Sequence, residues 1–463
     1  MIGKISMAGI GFHLRKLFKP DTFIDNLRAV VYSGTIASGP IFFSIICLAL
    51  LGFLSKAYME PEEFNIFSVT VVYIFAFSLI ATGTTQLVLS RYLSDLIYEK
   101  DYLGIAPTLS TALVFTLIIQ AVFGLPFLFW LNADFFYRFT AFGLFIIVGS
   151  IWQLMVFLSA VKNFTSIVWA FFIGVLISFV LGYVLARYFG LSGLLHGYAL
   201  GQFTIFLVLL WRVVSEFNSP LRPTMAVLVF IKKLPALIFI GLFYNLGIWI
   251  DKIIFWYSNA GERIDSFLFA SSLYDNAMYL AYMTIIPSYT YFLVKVETSF
   301  YNYFRSFFQA ILTKEPLSSI EEKKTAIASS VRESLVGLFK VQGLVTLLCL
   351  FYSDEILTTF HMSHLSIIIF EKALVALFLQ MLALTLLIFM MYFDIRKDLL
   401  VVSGLFVFTN AVLSLLTLEL GISFYGYGYV FANLITLSAA FWYLNRHLKN
   451  LEYNTFMHQV RQM

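Results

Sequence analysis

A chain of 463 residues that is 60% hydrophobic and only 12% charged, with a mean hydropathy of +0.88, is no ordinary soluble domain, where about 25% of residues are charged. Its apolar runs are continuous rather than alternating, which excludes a membrane β-barrel and indicates a polytopic helical membrane protein. The net charge of +4 says little as a total; the distribution of basic residues over the loops says more.

Taken in order, the apolar runs predict an all-α protein of about twelve transmembrane helices, near residues 30–54, 65–89, 105–130, 139–161, 166–187, 192–211, 234–257, 276–294, 335–352, 366–393, 399–420 and 426–444. Of the Lys and Arg residues, 24 fall on one side of this arrangement. Four fall on the other (Lys56, Arg138, Arg187 and Arg263), and Lys252 and Lys372 lie within spans. The positive-inside rule then makes both termini cytoplasmic. The expected domains are an amphipathic N-terminal segment over 1–29, a six-helix bundle over 30–215 and a linker over 216–233. A second six-helix bundle over 234–444 carries a cytoplasmic loop at 295–333, and 445–463 form the tail. The first 29 residues are polar and basic, so no secretory signal peptide is expected, and Met7 is an alternative start to Met1. Cys47 and Cys349 fall in spans and read as packing residues.

Along the chain, residues 7–16 are expected to lie on the membrane surface, with Arg15, Lys16 and Lys19 at the headgroups. Gln86 ends the second span, and the elbow 90–101 follows. There Arg91 and Asp95 stand at i,i+4 spacing, either as a solvated pair or as a gating contact. Pro220 and Pro223 break the linker. In the loop 295–333, Phe300, Phe304, Phe307 and Phe308 recur at helical spacing, which predicts an in-plane helix, either a membrane-surface element or a docking site for a cytoplasmic protein. Ser319 and Glu322 have capping-box spacing for the helix that follows.

No Walker A sequence and no zinc spacing occur, and His361 and His364 read as solvent-facing. No catalytic residue, metal, cofactor or nucleic-acid site is expected. Polar residues within spans (Gln86, Gln120, Gln153, His196, Gln202, Asn245, Gln380, Asn410, Glu419 and Asn433) read mostly as interhelical hydrogen-bond partners. The exception is GLFYNLGIWIDKIIFW, residues 241–256, in the seventh span. An ionisable residue inside a span is a functional candidate. This span, interrupted by Pro235, Gly241 and Gly247, opens the second half much as the first span, with Gly34, Gly39 and Pro40, opens the first. Such paired interruptions point to a transporter's substrate site. Asp251 lies about 27 Å along the helix from Lys233. Adjacent helix positions diverge by about 100°, so Asp251 and Lys252 are not expected to pair. Lys252 either snorkels to the outer headgroups or joins the passage; Asp251 is too short to snorkel. The candidate passage residues are Tyr244, Asn245, Gly247, Asp251 and Lys252, with Gln86 and Arg91.

Three stretches carry a family resemblance: MAGIGFHLRK (7–16), SRYLSDLIYEKD (90–101) and YNLGIWIDKIIFW (244–256). With the two-half layout, they resemble the Pel exopolysaccharide transporter (PelG) family of the multidrug/oligosaccharidyl-lipid/polysaccharide (MOP) flippase superfamily. His13 departs from the acidic residue expected there. The resemblance implies a bacterial inner-membrane exporter of a hexosamine-rich biofilm polysaccharide, acting with a cytoplasmic glycosyltransferase and other membrane proteins. The rival readings are a cation-coupled small-molecule exporter or lipid-linked oligosaccharide flippase of the same superfamily, and a membrane glycosyltransferase. No loop is large enough to house the last.

Overall fold

The computed structural model describes residues 46–55, 59–161, 164–217, 220–360 and 362–460. The segment 7–16, the interruptions Gly34, Gly39 and Pro40, and His361 lie outside them. The described residues form two compact units, one within Gly39–Ser272 and one within Leu273–Met463.

In the unit Gly39–Ser272, α1 (Ile46–Ser55) precedes the 39-residue α2 (Pro61–Glu99). Pro61 stands at the first helical turn with Glu62 and Glu63, where a missing N–H is harmless and acidic groups meet the positive helix end. Lys100 ends α2 in the left-handed region (φ 61°), and Asp101 N–H donates to the Leu96 carbonyl at 2.9 Å. The elbow 90–101 is therefore mostly helix, and Arg91 pairs with Asp95 at 3.3 Å on its exposed face. Next come α3 (Ile105–Phe129), α4 (Phe135–Val161) and α5 (Phe164–Glu216). The last reverses at Gly190 (φ 55°, ψ −137°), a backbone state open chiefly to glycine. This reversal separates the expected fifth and sixth spans. The linker runs into α6 (Ala226–Lys233), tied to α3 where Thr224 N–H donates to Thr111 Oγ1 at 2.8 Å. Then come α7 (Pro235–Trp256) and an antiparallel hairpin, β1 (Glu262–Asp265) with β2 (Leu268–Ala270). The hairpin occupies a stretch that hydropathy marks only as a short connection.

By packing, α7 belongs to this unit, lying along α2 rather than opening the bundle that follows it in sequence. The two backbones nearly touch. A Cβ on Gly241 would stand 2.1 Å from the Gly83 carbonyl oxygen, and one on Gly83 would stand 2.8 Å from that of Gly241. Lipid supplies no hydrophobic drive between helices, so such close approach of small residues is what holds them.

Among the described residues, the unit's interior has two apolar clusters. One gathers Phe67, Tyr73, Phe127, Tyr137, Phe145 and Trp256. The other gathers Leu93, Leu109, Leu154, Phe157, Ile205 and Leu209. Between them along α2 to α4 lies a buried polar layer of Ser78, Thr82, Thr85, Gln120, Ser150 and Gln153.

In the unit Leu273–Met463, the expected eighth span, 276–294, is broken into α8 (Ser272–Met283), α9 (Ile286–Tyr291) and a π-helical turn (Phe292–Val296), and α10 (Glu297–Leu312) follows in the expected loop 295–333. Pro287 explains the first break, since it lacks an N–H and disfavours helix in the residue before it. Then follow α11 (Leu317–Phe351), α12 (Ser353–Thr359), α13 (His364–Tyr392), α14 (Arg396–Leu420), α15 (Tyr427–Lys449) and α16 (Leu451–Val460). The start of α11 is Leu317, so Ser319 is already helical and the capping box does not form; the Ser319 hydroxyl donates to Glu315 instead, at 2.6 Å. Lys323 also binds Glu315, at 2.5 Å. Lys324 reaches Glu452 at 2.9 Å, tying α16 to α11. Among the described residues, eight helices are long and apolar enough to cross a membrane. That tally takes α5 as one and omits the broken eighth span and α15.

These packings can be checked by substitution and by pH. Gly241→Val forces α2 and α7 apart and destabilises the detergent-purified chain by about 2 kcal/mol, the scale of overpacking. Gly143→Ala, whose Cβ meets nothing within 4 Å, leaves the thermal midpoint unchanged. Lys323, then Ser319, hold the Glu315 carboxyl below its ordinary value of 4.5. Its contribution to stability is thus present above pH 4.5 and fades as pH falls through the lowered folded value. Hydrogen exchange at 313–323, corrected for intrinsic rate, rises on that acid limb in the wild type; Glu315→Gln removes the pH step.

Candidate functional site

Helix α7 carries the candidate residues on a span whose start is set by Pro235 and whose depth is set by the glycine crossing. Asn245, one turn beyond Gly241, is buried against Gly83, where its Nδ2 would lie 2.5 Å from any Cβ. Gly247 is buried and Tyr244 half-buried. Asp251 is 0% exposed and Lys252 6%.

The two charges pair. Lys252 Nζ lies 3.2 and 3.1 Å from the carboxylate oxygens of Asp251 and donates to the Ile248 carbonyl at 3.0 Å. The expectation from helix geometry fails because it considers where side chains start and not where they end. The four-carbon stem of lysine bends back along the helix and brings three donors to its neighbour. Lys252 does not snorkel.

Beyond the pair, Trp256 stacks on Tyr73 of α2 (4.6 Å between centroids, 16° between planes). The Tyr73 hydroxyl donates to the Phe269 carbonyl at 2.9 Å and accepts from Phe269 N–H at 3.0 Å. Tyr257 Oη donates to the Phe267 carbonyl at 2.9 Å, and the Phe267 ring packs edge-on against Tyr73 and Phe127. The β-hairpin is thus fastened over the Trp256 end of α7.

Gly83 facing Gly241 and Tyr73 facing Trp256 fix an antiparallel register. It puts Gln86 and Arg91 on the far side of the glycine crossing from Asp251, so the structure does not bring these candidates together. Gln86 is half-buried, and Arg91 is engaged with Asp95. Closer to Asp251 in that register is the polar layer. There Gln120 Nε2 donates to the Ser78 carbonyl (3.1 Å), Trp152 Nε1 to Ser78 Oγ (3.2 Å) and Thr85 Oγ1 to Gln153 Oε1 (3.0 Å). Gln120 Oε1, Gln153 Nε2 and Thr116 Oγ1 have no hydrogen-bond partner among the described residues. Gln120 and Gln153, expected as interhelical partners, do bond between helices while keeping capacity in reserve. Gly83 and Tyr73 escape a reading of the sequence for charge and polarity. The run Thr82-Gly83-Thr84-Thr85-Gln86 in an otherwise apolar span is the signal that could have found the crossing.

The aromatic helix α10 differs from its expectation. Phe300 and Phe307 are wholly buried. Phe300 packs on Phe389, Tyr392 and Phe393 at 4.3 to 5.8 Å. Phe304 meets Tyr392 and Phe393, and Phe308 meets Phe304 at 4.6 Å. The face expected to dock a partner or lie on lipid is turned into the chain's own fold, because the end of α13 supplies rings that sequence spacing does not reveal. The exposed side of α10 presents Asn302, Tyr303, Arg305 and Gln309.

The fold is that of a known transporter class. The chain resembles a MATE in the bent conformation (TM-score 0.64, 11% identity, 92% of this chain and 96% of that one). It also resembles an outward-facing multidrug resistance MATE family transporter of the MOP superfamily (0.65, 11%, 92% and 96%). A third similar structure is a mutant of the Vibrio cholerae MATE transporter VcmN (0.66, 12%, 95% and 98%). At such identities the likeness speaks for the fold alone. No curated protein matches the chain in sequence. The PelG family model, described as "Putative exopolysaccharide Exporter (EPS-E)", matches residues 7–456. With a MOP transporter fold, a charge pair buried in a span, and a family match over nearly its whole length, this chain is a multi-pass membrane transporter, not an enzyme, and belongs to the PelG family of exopolysaccharide exporters.

Proposed function

We propose that the chain passes a hexosamine-rich, Pel-like exopolysaccharide, or its precursor, outward across the bacterial inner membrane as a cytoplasmic glycosyltransferase makes it. The observation that carries this reading is the family match over 7–456. In it the chain crosses twelve times in two bundles, with both termini and 295–333 cytoplasmic, and other membrane proteins complete the export complex. Contact with the synthase falls to the polar face of α10, since Phe300 and Phe307 are buried and Phe304 and Phe308 pack against neighbouring rings.

Asp251 and Lys252 serve this passage with Tyr244, Asn245 and Gly247. Hydroxyl and amine groups of a sugar chain can exchange with either half of the pair, because a carboxylate accepts and an ammonium donates. The same geometry weakens the cation-coupled reading. A carboxylate already held by an ammonium at 3.1 Å is no free cation site.

Topology is tested by cysteine labelling from outside the cell. Ser318→Cys should stay unlabelled and Asn259→Cys should react; labelling of the first overturns the orientation. The pair is tested by neutralisation. Breaking a buried ion pair costs about 3–5 kcal/mol, whereas replacing both partners is far milder. Asp251→Asn and Lys252→Gln should each lower protein level, and the double variant should restore it. Export by that double variant decides the matter. Loss of export at normal protein level places the pair in the passage, and normal export makes it structural.

A further inference from the structure

We propose that the unit Gly39–Ser272 carries a second saccharide subsite, in the groove between the β-hairpin and the α3–α4 connection. The groove is open, about 610 Å³ in volume, and lined by Phe129, Trp130, Asn132, Arg263, Asp265 and Ser266 among others. The proposal rests on the polysaccharide reading of function, under which this end of the unit faces outward and the groove meets the chain as it leaves.

Its first support is construction. In a regular strand successive residues point to opposite faces, so Arg263, Ile264, Asp265 and Ser266 could not all line one groove. A bulge allows it. Arg263 pairs with Phe269 and Asp265 with Leu268, leaving Ile264 as the extra residue. Bulges of this kind bend a strand and re-aim its side chains. The wall so formed is braced from three directions: Asn132 N–H donates to Asp265 Oδ2 at 2.9 Å, Tyr73 exchanges two hydrogen bonds with Phe269, and Tyr257 holds Phe267. A preorganised wall loses little freedom when a ligand arrives.

Its second support is chemistry. Trp130 is 65% exposed and Phe129 64%, offering apolar ring faces. Arg263 is exposed and forms no ion pair among the described residues. Around the rings stand a guanidinium, an amide, a hydroxyl and a carboxylate, donors and acceptors together. Sugar rings need that combination, an apolar C–H face to stack and hydroxyls that both donate and accept. An interfacial aromatic belt accounts for the rings but not for the concave polar set. An anionic lipid headgroup would suit Arg263 but would meet the Asp265 carboxylate.

The full chain in phosphatidylcholine nanodiscs, titrated with a soluble pentasaccharide of mixed glucosamine and N-acetylglucosamine, tests this by saturation-transfer NMR. Trp130→Ala, which removes the stacking ring, and Arg263→Gln, which removes a charge-assisted contact, should each weaken binding about tenfold. Glu262→Gln, outside the lining, should bind as wild type does. Unaltered binding by Trp130→Ala and Arg263→Gln, or no binding by wild type, overturns the subsite. So does displacement of the pentasaccharide when phosphatidylglycerol replaces phosphatidylcholine, which assigns the groove to headgroups. If the subsite fails while wild-type cells still export polysaccharide in a manner dependent on this chain, the functional reading stands. If such export is absent, that reading falls instead.

Discussion

The contact on which the rest of the unit Gly39–Ser272 depends is the meeting of two glycine backbones, Gly83 on α2 and Gly241 on α7. Without side chains between them the helices lie close enough for a single antiparallel register to hold over their length. That register brings Trp256 onto Tyr73, and Tyr73 in turn holds the hairpin through both polar groups of Phe269. Along α7, Asp251 and Lys252 lie between these two contacts. One steric fact at the crossing therefore determines where the charges, the stacked rings and the hairpin end up.

The interior of that unit is apolar at both ends and polar between. In a membrane this is the costly arrangement, because hydrocarbon offers no alternative partner for a stranded amide. Gln120 and Gln153 each commit one half of the amide to a neighbouring helix and leave the other half unused. A layer of that kind supports neighbouring helices through bonds that can be exchanged, whereas the clusters on either side are close-packed.

Much of this is legible in the sequence and some is not, for reasons that differ. Hydropathy and charge placement mark α2 to α5, α7, α11 and α13 to α15, since span length follows from bilayer thickness. The stretch around Asp251 stands out because charge in a span is rare. What periodicity cannot supply is everything that depends on a distant partner. The rings of Phe300 and Phe307 look like a free apolar stripe until α13 is placed beside them. The assignment of α7 to the preceding helices follows from Gly83, more than 150 residues away in sequence. The pairing of Asp251 with Lys252 is local and still escapes prediction, because a rule about the directions of Cβ atoms does not govern a side chain with four rotatable bonds.

That last pair has a consequence for how the protein is made. A charged residue in a helix entering the bilayer through the translocon costs at most about 2.5–3.5 kcal/mol, the figure for the helix centre. A pair bridging two helices would leave both segments carrying that cost until the second was synthesised. Here the ammonium, the carboxylate and the Ile248 carbonyl that completes the set lie within two turns of one helix. Helix α7 can therefore pair its own charges as it leaves the ribosome, and its lateral entry into lipid need not wait for any other part of the chain.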